Sequence, residues 1–427
     1  MSNNQELEAW DNSIEQKMWI LMQVWAEVKF NFAFFDQVPE LNWEKETRSA
    51  IPKILATKNI GEYYQILQEL VALLNDGHTL ILPSKEEMDT LDRPALELQM
   101  IENKIIITRI GDSEEIMGNK IIPGLEIIEI NNVSAKDYLN NNILRYYSGG
   151  TKHWGEAFGL FRFLEGPKNS KMTIKLKDLD GKIRTVKLTR NSEMKNGENF
   201  KYNIFNYYPL VEKKIIDEEI IYFKLSTFMS EQIVEDFNKE LDLLDLNKIK
   251  GMILDIRSNM GGNSDNGFNI ISRLIDKPIE AAKWKTRKYL PAYRSWGNPE
   301  EWFEDSMGMI QPSTEKTYLG PLILLTGNTT FSSAEDFVVP LKFSKRAKII
   351  GEITGGSTGN PVTIILPGGY IFRICSKRDE FPDGTEFVGF GIQPDIQVKL
   401  TQNDISENKD VILEKAIEEI NDWDKGN

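Results

Sequence analysis

Two adjacent serines, Ser332 and Ser333, stand where an apolar strand pattern gives way to a helical one, in TGNTTFSSAEDF. A serine hydroxyl becomes a nucleophile when a neighbouring base accepts its proton. Serine is also a preferred helix N-cap, and Glu335, three residues after Ser332, completes a capping-box pattern. The two roles compete for the Ser332 hydroxyl unless Ser333 serves as the cap. The stretch therefore offers a nucleophile that needs a base from elsewhere in the chain.

Only two histidines are present to act as that base. His78, in LLNDGHTLIL, ends a helical pattern and precedes a strand, a place where histidine also interacts favourably with a helix dipole. His153, in GGTKHWGEAF, stands beside Trp154 in a glycine-containing loop, which is typical of a surface or packing residue. These two neighbourhoods alone do not decide which histidine, if either, serves a serine.

A pair of glycines follows the preceding apolar strand. Gly261 and Gly262, in DIRSNMGGNS, come just before a helical pattern. Glycine lets the backbone approach a reacting atom closely, and free N–H groups at a helix start attract negative charge. An oxyanion hole needs these properties, although a glycine pair after a strand is more often only a turn.

A third stretch, GGSTG, matches the G-x-S-x-G pattern of α/β-hydrolases around Ser357. In those enzymes the catalytic residues follow the chain order serine, acid, histidine. No histidine follows Ser357 in this chain, so the motif does not mark a nucleophile of that kind.

The elements that must position these residues fall into three regions. Apolar residues recur at helical spacing over 8–30, 43–57 and 60–75, which predicts an N-terminal helical domain over residues 1–90. Short strand patterns then dominate, with a hairpin predicted around Asp180-Gly181, so residues 95–190 are expected to form a β-rich module.

Strand and helix patterns alternate in the last region, residues 200–427, until a final hairpin and helix. Such alternation predicts an α/β fold with a mainly parallel sheet. Ligands bind beyond the carboxyl ends of parallel strands, and the glycine-pair and serine loops both fall there. The region is therefore the predicted catalytic domain.

Composition excludes several function classes. The chain has 427 residues, a formal net charge of −14 and a pI near 5.0, which argues against a nucleic-acid partner. One cysteine excludes an internal disulfide, and with two histidines it cannot build a cysteine- and histidine-rich zinc site. We find no metal-binding motif and expect no cofactor.

The chain shows no integral membrane segment and no signal peptide at its start. We therefore expect a soluble protein. It is predicted to be cytoplasmic, or periplasmic or extracellular if an export signal has been trimmed from it. The sequence does not predict an oligomeric state.

Several motifs occur in an order that resembles the S41 family of serine peptidases, which includes the tail-specific (carboxyl-terminal processing) proteases and the tricorn protease core. They are NDGHT, PGLEIIEINNVSAKDYL, LDIRSNMGGN, NTTFSSAEDF, IIGEITGG and DGTEFVGFGIQPDI. The resemblance implies a ClpP/crotonase-like catalytic core and a PDZ-like domain at 95–190. It also implies a peptide or unfolded protein as substrate.

The resemblance also implies roles for single residues. In the tail-specific branch the nucleophile position maps to Ser332, and the position of the lysine base maps to Ser357, so this chain departs from a serine–lysine dyad. In the tricorn-like branch the base is a histidine, whose position matches His78. Gly261 or Gly262, with Ser333, would then hold the oxyanion.

The group that orients His78 is less well matched. The tricorn-like branch carries a serine just before the histidine and a glutamate near the closing segment. This chain has Gly77 and Gln393 at those places, with Glu386 a few residues upstream. We expect Glu386 to orient His78, with Gln393 as the alternative.

Three functional readings follow. The first is a serine endopeptidase that works through an acyl-enzyme on peptides or on unfolded or C-terminal protein segments. The second is a catalytically inactive peptide- or lipid-binding protein on the same scaffold. The third keeps the peptidase but makes a lysine the base, and it predicts activity that survives His78→Ala.

Overall fold

The computed structural model describes residues 8–202 and 208–423. The parts of the predicted 1–90 and 200–427 regions that fall on residues 1–7, 203–207 and 424–427 lie outside the described residues. None of the helices in the described ranges is long and apolar enough to cross a membrane.

The helices and strands follow the predicted order along the chain. The α-helices are α1 Ile14–Asn31, α2 Trp43–Ala56, α3 Ile60–Ala72, α4 Lys85–Met88, α5 Glu114–Gly118, α6 Ala135–Tyr138, α7 Lys152–Arg162, α8 Gln232–Asp242, α9 Ser264–Ser272, α10 Pro291–Trp296, α11 Ser333–Phe343, α12 Gln402–Ser406 and α13 Val411–Asn421. The strands are β1 Leu80–Leu82, β2 Leu91–Asp92, β3 Leu96–Ile101, β4 Lys104–Ile110, β5 Glu126–Ile130, β6 Val133–Ser134, β7 Gly166–Pro167, β8 Lys171–Lys177, β9 Ile183–Thr189, β10 Val211–Ile216, β11 Ile220–Leu225, β12 Gly251–Asp255, β13 Ile279–Glu280, β14 Lys283–Lys288, β15 Glu301–Ser306, β16 Met309–Ile310, β17 Leu322–Thr326, β18 Lys348–Gly351, β19 Val362–Leu366, β20 Tyr370–Ile374, β21 Lys377–Glu380 and β22 Ile396–Gln397.

The chain has a mixed α/β fold whose largest catalytic-region sheet has six strands, in the order β10-β11-β12-β17-β18-β22. The five strands from β11 to β22 run parallel, and β10 pairs antiparallel with β11. The central strands β12 and β17 are buried along their whole length, as expected for strands covered on both faces. Because β12 and β17 are neighbours, the two loops that follow them meet at one edge of the sheet. The other sheets among the described residues are antiparallel.

The N-terminal helices pack on this catalytic region. Apolar side chains from α1 and α3, such as Val24 and Leu67, belong to the same buried cluster as Phe223 of β11 and Phe337 of α11. The first helix begins later than the predicted residue 8, because the Ser13 side chain accepts a hydrogen bond from an N–H of the first turn and fixes the start there. The helical region thus shares the core of the sheet and holds the α3–β1 loop against it.

The β-rich module has an antiparallel sheet in the order β3-β4-β5-β8-β9 and its own buried cluster. The predicted hairpin around Asp180-Gly181 is confirmed as β8 and β9, which pair antiparallel from Lys171–Thr189 to Lys177–Ile183. The helix α7 packs beside β3 at the edge of this sheet. Its first turn reaches toward the loops at the edge of the parallel sheet.

Candidate functional site

Ser332 sits at the sharp turn between β17 and α11. Its backbone has φ 57° and ψ −130°, a conformation that residues other than glycine rarely adopt. The turn is held by the Ser332 N–H, which donates to the carbonyl oxygen of Ser357 at 3.1 Å and to Glu335 Oε2 at 3.2 Å. Strain of this kind at a strand-to-helix turn is typical of nucleophile positions, because it exposes the hydroxyl.

His78 comes from the α3–β1 loop, and folding brings it to Ser332. Its Nε2 lies 3.0 Å from Ser332 Oγ, although 254 residues separate the two in the chain. The imidazole is 3% exposed and packs against Phe331 at a ring-centroid distance of 4.5 Å. Burial lowers the pKa of His78 to about 3, and the positive charges of Arg373 and Lys377 add to this effect. The ring is therefore neutral and has a lone pair to offer.

The other nitrogen of the ring leads to a second serine and a buried carboxylate. His78 Nδ1 lies 2.8 Å from Ser357 Oγ, which in turn donates to Asp76 Oδ1 at 3.3 Å. Asp76 Oδ2 accepts from Thr79 Oγ1 at 2.6 Å and from the His78 N–H at 3.2 Å. Since the Ser357 proton points to Asp76, its oxygen accepts from Nδ1–H, and Nε2 is left free of hydrogen to face Ser332.

The structure does not bring Glu386 to the histidine, and this expectation is corrected. Glu386 lies on the surface, where its carboxylate pairs with Lys285 at 3.0 Å. Gln393 is exposed as well. The physical reason is that Ser357 already occupies the hydrogen-bonding position at Nδ1 of His78.

The sequence analysis does not predict the contacts that Ser357 and Asp76 make beside His78. Ser357 was excluded only as a nucleophile, and its place at the lysine position of the tail-specific motif was the signal that it belongs to the site. Asp76 stands two residues before His78 in NDGHT, and this proximity was the available sign.

A buried glutamate, Glu335, joins the nucleophile turn to the segment that carries Ser357. Besides the Ser332 N–H, its carboxylate accepts from Thr354 Oγ1 at 2.5 Å and from the N–H groups of Gly356 and Ser357 at 2.8 and 2.9 Å. Burial raises the pKa of Glu335 to about 7 against the opposing effect of these hydrogen bonds. The capping position is thus used, but by the glutamate carboxylate, while Ser332 Oγ faces the histidine.

The glycine-pair loop lies beside Ser332. Gly261 has φ 93° and Gly262 has φ 142°, and an added Cβ at Gly262 would lie 2.2 Å from the backbone nitrogen of Met229. The Gly261 N–H donates to Asn259 Oδ1 at 2.8 Å, so it is not free for an oxyanion, which corrects one predicted donor. The N–H groups of Gly262 and Ser333 have no acceptor within residues 8–202 and 208–423.

The first turn of α7 contacts the site from the β-rich module. Trp154 stacks on Phe331 with ring centroids 3.7 Å apart, and Phe331 in turn packs on His78. The neighbouring His153 does not approach Ser332, and its Nε2 lies 2.6 Å from the carbonyl oxygen of Thr354. The second histidine is therefore a packing residue that supports the segment before Ser357.

Comparison with known proteins identifies a peptidase domain in the chain. Residues 219–398 match the model of peptidase family S41. The chain is 26% identical over 379 residues to a carboxyl-terminal-processing protease of Picosynechococcus sp., covering 88% of this chain and 82% of the relative. It is 22% identical over 348 residues to the carboxy-terminal processing protease CtpB of Bacillus subtilis, covering 78% of this chain and 62% of the relative.

Among solved structures, mature CPAF superimposes with a TM-score of 0.76 at 16% identity, over 97% of this chain and 98% of that one. The photosystem II D1 C-terminal processing protease gives a TM-score of 0.53 at 17% identity, over 90% and 93%. These structures show a shared fold. The S41 domain over residues 219–398 and the sequence similarity to carboxyl-terminal-processing proteases indicate a serine peptidase. The matched span contains Ser332 and Ser357, whereas His78 and Asp76 come from the region before it.

Proposed function

We propose that Ser332, His78, Ser357 and Asp76 form the catalytic relay of this serine peptidase, and that it hydrolyses peptide bonds in peptides or in unfolded or C-terminal protein segments. One observation carries the proposal. An unbroken series of contacts of 3.0, 2.8 and 3.3 Å runs from the Ser332 hydroxyl through the imidazole and the Ser357 hydroxyl to a buried carboxylate.

The geometry supports the following reaction. Ser332 Oγ attacks the peptide carbonyl carbon while His78 Nε2 accepts the hydroxyl proton. The Gly262 and Ser333 N–H groups donate hydrogen bonds to the developing oxyanion and stabilise its negative charge. His78 then gives the proton to the leaving amine nitrogen, and an ester remains on Ser332. A water molecule, deprotonated by the same nitrogen, hydrolyses the ester and restores the enzyme.

Ser357 and Asp76 act on the base, not on the substrate. When His78 becomes an imidazolium, its Nδ1–H bond to Ser357 strengthens, and Ser357 passes the polarisation to Asp76. A triad aspartate stabilises and orients the imidazolium in the same way through a direct bond. Here one hydroxyl is interposed between them.

The position of the β-rich module beside the parallel sheet supports a role in substrate binding like that of a PDZ-like domain. A cavity of about 430 Å³ lies between this module and the parallel sheet, lined among others by Leu98 of β3, Phe161 of α7, and Lys224 and Arg257 of the catalytic region. Within the described residues β3 is the edge strand of its sheet, and we propose that an extended peptide pairs with it as an additional strand. Fluorescence anisotropy with labelled peptides and Ser332→Ala protein tests this, and a lack of binding would contradict it.

A fluorophosphonate probe tests the nucleophile. We expect the wild type to be labelled and Ser332→Ala to remain unlabelled, while Ser49→Ala, which removes an exposed hydroxyl from α2, labels like the wild type. Equal labelling of wild type and Ser332→Ala would rule out Ser332. If the wild type neither reacts with the probe nor cleaves casein, the peptide- or lipid-binding alternative is favoured instead.

The base is tested separately with His78→Ala. We expect this variant to lose casein cleavage, because Ser332 then has no proton acceptor within reach. Activity that survives the substitution would favour a lysine base.

A further inference from the structure

Two buried oxygens beside the nucleophile lack a hydrogen-bond partner. They are Ser333 Oγ and Asp336 Oδ1, both in the first turns of α11, and neither has a partner in the part of the chain that the structure describes. Ser333 is 3% exposed and Asp336 is 4% exposed. Buried polar atoms are almost always paired, so such exceptions point to a group that is absent here.

The charges around Asp336 leave it without a cation. Its other oxygen, Oδ2, accepts from Ser264 Oγ at 2.7 Å. The nearby Asp379 takes the local lysine, since Lys377 Nζ lies 2.8 Å from its carboxylate, and Asp379 also accepts from Thr358 Oγ1. Asp336 is therefore the carboxylate of this cluster whose charge has no direct partner.

The electrostatic surroundings agree with this description. Burial and the negative charge of Asp379 raise the pKa of Asp336 to about 7, and Glu335 contributes in the same direction. Lys377 and the hydrogen bond from Ser264 act against them. A cation bound beside Asp336 would favour the ionised carboxylate and so lower this pKa.

Ser333 connects this pair of oxygens to the proposed oxyanion hole. The Ser333 N–H is a proposed oxyanion donor, and an added Cβ at Gly261 would lie 2.7 Å from that nitrogen, so the glycine loop covers this turn. The side chain of the residue before the scissile bond, P1, is attached to the atom next to the attacked carbonyl carbon. It therefore starts beside the oxyanion donors. Ser264 is only partly buried and Gly262 is exposed, which leaves an approach from solvent on this side.

We propose that Ser333 Oγ and Asp336 form the P1 side-chain subsite, with Ser264 at its edge, and that the peptidase cleaves after lysine or arginine. The inference rests on the proposed function. An ammonium or guanidinium group donates to both unpaired oxygens and neutralises the carboxylate. An apolar P1 side chain would leave a buried carboxylate and a hydroxyl unpaired, which a site of this kind rejects strongly.

Paired peptide substrates measure the preference directly. Norleucine has the shape of lysine without its ammonium, so we compare kcat/KM for peptides that differ only in lysine or norleucine at P1. We expect the wild type to favour lysine by about 100-fold or more. Mass spectrometry of a casein digest reads the same preference without fixing the other substrate positions, and we expect cleavage after lysine and arginine to dominate.

Two variants assign the preference to the subsite. Asp336→Asn is expected to reduce the lysine-to-norleucine ratio to about 1–5, because the fixed negative charge is lost. Ser333→Ala, which keeps the backbone N–H, is expected to reduce the ratio by about tenfold. Asp265→Asn removes an exposed carboxylate at the start of α9 and should leave the ratio unchanged.

Equal cleavage after lysine and norleucine, or a casein digest dominated by apolar P1 residues, would overturn the inference. An unchanged ratio in Asp336→Asn would do so as well. In each case, labelling of Ser332 by the fluorophosphonate would leave the proposed function standing. If the wild type did not react with the fluorophosphonate at all, the proposed function would be refuted instead.

Discussion

His78 is expected to remain neutral over the whole pH range in which the folded protein is studied. The pKa of His78 is lowered to about 3, so the ring gains a proton only far below the usual value of about 6.5. Nitrogen NMR of the imidazoles checks this, and because the chain has two histidines, His153→Asn assigns the signals. We expect His78 to show a protonated Nδ1 and a bare Nε2 down to pH 5. Titration near 6.5 would contradict the lowered pKa of His78, and the opposite tautomer would contradict the relay.

Ser357 is expected to act as a positioning residue through His78. Ser357→Ala removes the acceptor of Nδ1–H and should lower kcat by about 100-fold with little change in KM, since removal of a triad aspartate's orienting bond costs more than this. The labelling rate of Ser332 by a fluorophosphonate should fall in parallel. Thr363→Ala, an exposed change on β19, is the control. A loss of stability with an unchanged labelling rate would show a structural role only.

The residues that could be predicted were those whose chemistry is written in a local motif. Ser332 and His78 each stand in a short recognisable stretch, and folding brings them together. The partner at Nδ1 could not be predicted in this way, because Ser357 acts from an extended segment whose position depends on Glu335 and on the nucleophile turn. Glu386 stands only a few residues before the position of the family's glutamate, and its carboxylate pairs with Lys285.

At the scale of elements, the helix α7 is expected to support the base through its aromatic contact. Trp154 is 2% exposed and stacks on Phe331, which packs on His78. Trp154→Ala should remove this support and lower kcat/KM by about tenfold, together with a destabilisation of about 3–5 kcal/mol for a large cavity. Trp154→Phe keeps a ring in the stack and should retain most of the activity.

A matched control for this change is Trp296→Ala, since Trp296 is 69% exposed at the end of α10. Activity and unfolding temperature should both stay near the wild-type values. If Trp154→Ala and Trp296→Ala had the same small effect, α7 would have no part in holding the base. If Trp154→Phe lost as much activity as Trp154→Ala, the stacked ring would not be the feature that matters.

The elements themselves were largely predictable because their periodicity is strong. The alternation after residue 215 predicted the parallel strands, and Asp180-Gly181 predicted the hairpin, since each pattern depends on local chemistry. The contact between α7 and the catalytic loops was not predictable, because Trp154 stands in a stretch whose pattern shows only a packing residue. The shared core of the N-terminal helices and the sheet was not predicted either, because a local pattern does not show which element an apolar face packs against.

At the scale of the whole molecule, the candidate site is formed by segments that are distant in the sequence. The α3–β1 loop carries the proposed base and its carboxylate, the β17–α11 turn carries the proposed nucleophile, and the segment after β18 carries Ser357. Glu335 holds two of these segments together through four hydrogen bonds. Assembly of the site therefore depends on a buried carboxylate that burial keeps from ionising easily.

This dependence predicts how stability changes with pH. The pKa of Glu335 is about 7 in the folded protein and near 4.5 when unfolded, so the folded state binds more protons between these values. The contribution of Glu335 to stability must then decrease as pH rises from about 4.5 to 7 and level off above 7. In Glu335→Gln the group no longer titrates. We expect the wild-type unfolding temperature, relative to that of the variant, to fall by a few degrees over this range.

Calorimetry of both proteins at several pH values measures that difference, and Glu304→Gln on the exposed face of β15 serves as the control. The control should follow the wild type at every pH, because removing an exposed carboxylate leaves the proton balance of folding nearly unchanged. His78 titrates in the opposite sense, since its lowered pKa costs stability as pH falls below about 6.5, but it is present in all three proteins and cancels in the comparison. A difference between wild type and Glu335→Gln that rises with pH would mean that Glu335 is ionised in the folded protein. The nucleophile turn would then be held by a charged carboxylate, and its hydrogen bonds would outweigh its burial.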